Sequence, residues 1–102
     1  FRYPPYWHLV YVFLRHRTEQ LVESAAIELA SRLRQIFADR VLGPDKPSVA
    51  RVKTESIRKI VLKLELGIDL NLARRCMMEA RSALMQDKRY AAMTVYFDVD
   101  PL

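Results

Sequence analysis

Glycine is nearly absent from this chain. It occurs twice in 102 residues, at Gly43 and Gly67. That excludes a glycine-rich loop of the kind that cradles nucleotide phosphates. Cysteine occurs once, as Cys76, so neither an internal disulfide framework nor a cysteine-rich zinc site can form within the chain. This usage fits a reducing compartment, the cytoplasm. No stretch approaches the roughly 18 uninterrupted apolar residues of a membrane span, and no signal peptide is visible. The five prolines are confined to a few turn sites, which implies compact elements joined by short loops.

What is present is enough to fold. Hydrophobic residues make up 51% of the chain, and a chain of this length can bury one core without cross-links. A single domain over residues 1–102 is expected, with 1–6 as an entry linker. The first residue is Phe1 and not Met, so the chain reads as a C-terminal fragment of a longer protein. The net charge is +5, and it is unevenly spread. Residues 1–17 carry Arg2, Arg15 and Arg17 and no acid, and residues 40–66 hold seven bases against three acids. A basic excess on particular elements points to a polyanionic partner. Ordinary solubility is the competing account.

Periodicity then places the elements. Trp7 to Arg15 is short and rich in Val, Leu, Tyr and Phe, with both faces apolar, and predicts a central strand. Pro4 and Pro5 keep it from starting earlier. Thr18 to Ala38 predicts a helix capped by Thr18, with Val22, Ala25, Ala26, Leu29, Leu33, Ile36 and Phe37 as its apolar stripe. Gly43 to Pro47 reads as a turn region. Ser48 to Lys53 and Ser56 to Leu66 read as a hairpin, the second strand alternating Ile60, Leu62 and Leu64 with Lys59, Val61 and Lys63. Asp69 or Asn71 caps a second helix running to about Asp87, packed through Ala73, Cys76, Met77, Ala80, Ala83 and Leu84. Ala92 to Val99 closes the chain as a last strand. The order β-α-β-β-α-β predicts an α+β fold, a four-stranded sheet with two helices on one face.

Four constellations bear on function. Arg51 and Lys53, two apart on one predicted strand, and Lys59 and Lys63, opposite the Ile60-Leu62-Leu64 set, make a cation row suited to phosphate backbones. The same lysines also suit a solvated strand face that resists edge-to-edge pairing. Trp7, Tyr11, Phe13 and Arg15 share parity on the first strand, and Tyr96 is a candidate for the same face. Such rings can stack bases, or they can be core or a surface for another domain. Arg74 and Arg75, near the start of the second helix, suit a carboxylate or a short acidic peptide. Asp98 and Asp100 are two apart on the last strand and are read as structural, because no nucleophile or base is tied to them.

The remaining candidates carry less. His8 and His16 are about 26 Å apart in an extended strand and cannot share a metal. Cys76-Met77-Met78 reads as packing. No catalytic residue is assigned. A small enzyme of the acylphosphatase kind lacks a matching catalytic loop.

Three short motifs occur in order: Tyr3-Pro4-Pro5-Tyr6, Leu42-Gly43-Pro44 and Asp98-Val99-Asp100-Pro101. Together they make the whole chain resemble the C-terminal domain family of primosomal protein N′, bacterial helicases that restart stalled replication forks. The resemblance implies a fold similar to a ribosomal protein of the S10 type. It implies a non-catalytic domain that contacts fork or single-stranded DNA and helps bind the acidic tail of the single-stranded-DNA-binding protein. In the family, residues near the start of the second helix contribute to the tail site. Arg74 falls near one such position, and Leu70 stands where a basic partner is found. ATP, Mg and structural zinc are implied for the parent helicase, as are other primosome proteins as partners, but no cofactor is implied for this segment. The competing reading is an architectural domain that packs on the helicase core without touching DNA.

Overall fold

The computed structural model describes residues 7–47, 51–65 and 67–99, with the side chains of Trp7, Arg51 and Val52 outside that description. The Tyr-Pro-Pro motif and Asp100-Pro101 therefore lie outside the described residues. Strand β1 (Trp7–His16) leads to helix α1 (Glu19–Phe37), then β2 (Val41–Asp45), β3 (Arg51–Val52), β4 (Glu55–Glu65), helix α2 (Leu70–Met85) and β5 (Thr94–Val99). The sheet order is β2-β4-β1-β5, all antiparallel, with β3 pairing β4 beyond β2. This is the split β-α-β arrangement of ferredoxin-like folds. The predicted α+β class and element order are both present, and β1 is central as its two apolar faces require.

Both helices cover one face. Val10, Val12 and Leu14 of β1 and Ile60, Leu62 and Leu64 of β4 point into it and are fully buried. Alternation by two delivers this set from each strand. Against them pack Val22, Ala25, Ala26, Leu29, Ala30 and Leu33 of α1, with Ala73, Met77, Ala80 and Leu84 of α2. The small residues of α1 let the helix approach the sheet closely. Ile36, expected on the apolar stripe, is instead 46% exposed, because the last turn of α1 turns Phe37 inward. Tyr90 follows α2 in a short 3-10 turn, is fully buried, and shares a 2.8 Å hydrogen bond with the Ser24 hydroxyl.

The helix starts differ. Asp69 caps α2, its carboxylate accepting from the backbone N–H groups of Asn71 and Leu72. That satisfies two donors the helix cannot pair itself. Thr18 occupies the cap position of α1 but makes no side-chain cap bond. Its backbone N–H donates instead to His16 Nδ1 at 3.0 Å.

The second strand departs from expectation. Gly43-Pro44 is not a turn but part of β2, with a cis peptide bond and a register shift between Leu42 and Asp45. Val41 and Leu42 pair with Leu62 and Val61 of β4. Proline lacks a donor N–H and is tolerated at such an edge irregularity. Gly43 has φ +100°, and a Cβ there would meet the Lys59 carbonyl oxygen at 3.0 Å. Of the predicted strand Ser48 to Lys53, only Arg51–Val52 pairs with β4. Residues 48–50 lie outside the described residues.

Candidate nucleic-acid interface

Among the described residues no helix covers the sheet face opposite α1 and α2, where Ile57 is nonetheless buried. β1 places Leu9, Tyr11, Phe13 and Arg15 there, β4 places Lys59, Val61 and Lys63, and β5 places Thr94, Tyr96 and Asp98. Pairing sets their neighbours. Phe13 lies between Lys59 on one side and Tyr96 on the other, and Tyr11 between Val61 and Asp98. The rings of Phe13 and Tyr96 stack with centroids 5.2 Å apart and planes at 23°. Tyr11 meets Phe13 edge-on at 6.1 Å. The Lys59 ammonium sits 4.5 Å from the Tyr11 ring centroid, a cation–π contact. Arg15 pairs with Glu55 at 3.0 Å.

The predicted cation row is only partly assembled. Lys59 and Lys63 share the open face as their parity requires, four residues apart and so about 13 Å along the strand. Arg51 is on β3, paired with Ser56, and its side chain lies outside the described residues. Lys53 does not continue that strand. It is exposed in the two-residue turn between Val52 and Glu55, with φ +56°. The turn needs a left-handed residue to reverse the chain, so Lys53 stands at the tip of the hairpin and shares no strand face with Arg51.

Arg74 and Arg75 are exposed on α2, in the helix layer, and make no ion pair among the described residues. The sheet separates them from Lys59 and Lys63, so the two cation pairs do not form one surface. Leu72 and Met78, 52% and 42% exposed, flank them on α2. Among the described residues no group of His, Cys, Asp and Glu side chains converges as metal ligands.

One charged cluster escaped sequence reasoning. Arg58 sits on the helix side of β4 with its side chain 5% exposed. Its Nε donates to Glu23 at 2.6 Å and its Nη2 to Glu19 at 2.8 Å. Burial alone lowers the pKa of such a guanidinium, and the two carboxylates more than reverse this, so the net shift is upward. The signal was available: position 58 has the parity of Ile60 and Leu62, so a charge there needs acids on the covering helix. On the exposed rim, the hydrogen bond from Arg40 holds the Glu65 carboxyl below its ordinary range, and Arg89 does the same for Asp87.

The fold and its open face define a class: a small ferredoxin-like domain with one helix-covered face and one open face that carries Lys59 and Lys63 among aromatic rings. It is similar to the de novo designed protein Foldit4, with a TM-score of 0.65, 11% identity, and coverage of 91% of this chain and 94% of that one. That likeness speaks to the fold alone. No curated protein matches the chain. The family model described as the primosomal protein N C-terminal domain matches residues 1–102. The chain belongs to that family, and with it to the primosome and its role in replication restart.

Proposed function

We propose that this domain is a non-catalytic, DNA-contacting part of a replication-restart helicase. It contacts fork or single-stranded DNA through the open sheet face. Arg74 and Arg75, on the helix layer, help bind the acidic tail of the single-stranded-DNA-binding protein. The observation that carries the DNA reading is the placement of Lys59 and Lys63 on an uncovered face among aromatic rings. Cations there meet phosphates without sequence preference. The tail reading rests on two exposed arginines beside exposed Leu72 and Met78, a mixture that suits a peptide both acidic and apolar. ATP hydrolysis, its Mg, and structural zinc belong under this reading to the rest of the helicase, in the bacterial cytoplasm.

The architectural reading has one observation in its favour. Leu42 and Tyr96, 47% and 41% exposed, put apolar surface on the same open face, and another domain of the helicase would bury it.

Fluorescence anisotropy with labelled forked and single-stranded DNA at about 50 and 200 mM salt decides between the two readings. DNA contact predicts binding that falls steeply with salt and weakens in Lys59→Ala/Lys63→Ala. Absence of binding at the lower salt removes the DNA reading and leaves the architectural one. A labelled acidic peptide run in parallel should lose affinity in Arg74→Ala/Arg75→Ala and not in the lysine variant. Equal effects of both variants on both ligands would overturn the two-site division.

A further inference from the structure

Phosphate contact needs only the lysines, yet among the described side chains the open face also holds three rings in a defined order. Phe13 stacks on Tyr96 from the interior side of the sheet, because Tyr96 is on the edge strand β5 and Phe13 on central β1. One face of the Tyr96 ring is therefore covered. Tyr96 nevertheless keeps 41% of its surface exposed. The other two rings are used: Tyr11 abuts Phe13 edge-on and lies under Lys59. Tyr96 alone of the three ends the stack.

We propose that Tyr96 is a base-stacking residue that makes the open face selective for single-stranded DNA. An unpaired base adds to the Phe13–Tyr96 stack as its third member, while Lys59 and Lys63 meet the flanking phosphates. This rests on the DNA reading above and narrows it. The physical reason for selectivity is that a duplex hides the flat faces of its bases between neighbours, whereas an unpaired base presents one. Phosphate contacts alone cannot discriminate in this way. A stacked base is sequence-tolerant, since every base has a π face.

The test compares the chain with Tyr96→Ala, Tyr96→Leu and Tyr96→Phe on two labelled probes, an oligothymidine of about 15 nucleotides and a hairpin duplex of similar charge, across a salt series. Loss of one stacked base should weaken oligothymidine binding by about tenfold in Tyr96→Ala and Tyr96→Leu. Tyr96→Phe should keep most of it. Tyr96→Leu guards against a folding artefact, because it retains apolar bulk on β5 and loses only the ring, and circular dichroism reports its fold.

The slope of log affinity against log salt should be unchanged in the Tyr96 variants, because no phosphate contact is lost. In Lys63→Ala it should fall by about 0.7. The duplex should bind more weakly than oligothymidine and be indifferent to residue 96. Equal binding of both probes, with Tyr96→Ala unchanged, overturns the stacking proposal and leaves the DNA reading standing. Failure of both probes to bind at low salt overturns the two together and returns Tyr96 to a domain-docking surface.

Discussion

The two faces of this sheet are built by the same strands, yet one is buried under helices and the other is not. On the helix side, Val10, Val12, Leu14, Ile60, Leu62 and Leu64 are wholly buried, and Arg58, the one charge there among the described strand residues, is held by two carboxylates. On the open side, Tyr11, Phe13, Lys59 and Lys63 are only half-buried, and a lysine rests over a ring. Alternation by two lets a strand make both surfaces with neighbouring residues. The buried core is thus concentrated on one face, and the proposed DNA contact falls to the other. Substitutions one position apart should separate the two.

The largest expected effect is on the covered face. Leu14→Ala leaves a cavity under α1 and should cost about 2–5 kcal/mol. A urea titration should show a lower midpoint with an unchanged slope, while DNA affinity per folded molecule stays the same. A large loss of affinity in the folded fraction would mean that the faces are coupled.

The Arg58 cluster comes next. Replacing Glu19 and Glu23 by Gln leaves a buried guanidinium without its counter-charges and should cost about 2 kcal/mol. Arg58→Met, which removes the charge altogether, should stay within about 1 kcal/mol of the unaltered chain. Equal losses in the two variants would show that packing of the arginine stem, not the charge, matters there.

Lys59→Ala/Lys63→Ala sharpens the contrast from the open side. Its unfolding midpoint should hardly move, since exposed charges contribute little to stability. Its salt slope for single-stranded DNA should flatten by about 1.4. A destabilised variant with an unchanged slope would reverse the roles assigned to the two faces.

The smallest effect belongs to the exposed rim. Glu65 and Asp87 have carboxyl pKa values held below their ordinary ones by hydrogen bonds from Arg40 and Arg89. A depressed folded-state pKa adds stability above the unfolded value, and that contribution is lost as pH falls through the folded value. The urea midpoint should therefore drop modestly as pH is lowered from about 6 through the carboxylate range, and Glu65→Gln should make the drop shallower. A midpoint that rises on acidification would contradict the sign.

Much of this was legible residue by residue. The alternation in β4 announced which side Lys59 and Lys63 would take, and Tyr11, Phe13 and Tyr96 do share a face as their parity suggested. The α1 stripe was readable except at Ile36, where the helix ends and the period no longer has a surface to follow. Gly43-Pro44 misled because its composition is that of a turn, whereas its pairing with β4 at an edge bulge depends on a partner strand far along the chain. Lys53 misled for a related reason: the strand ends at Val52, one residue earlier than the basic pattern implied. The parity of Arg58 was readable, but its partners were not, because they lie 35 and 39 positions away.

By itself the sequence determined the α+β class, the buried side of β4 and of both helices, and the family motifs. These follow from local periodicity and short-range chemistry, which need no partner to be read. Only the tertiary structure decided that Lys59 lies over Tyr11, that Phe13 stacks on a Tyr96 that stays exposed, and that Arg74 and Arg75 stand across the sheet from the lysines. Those facts depend on strand order and register, set when distant segments pair and bury one common face. No local pattern encodes them, because the free energy that fixes them is shared across the whole core.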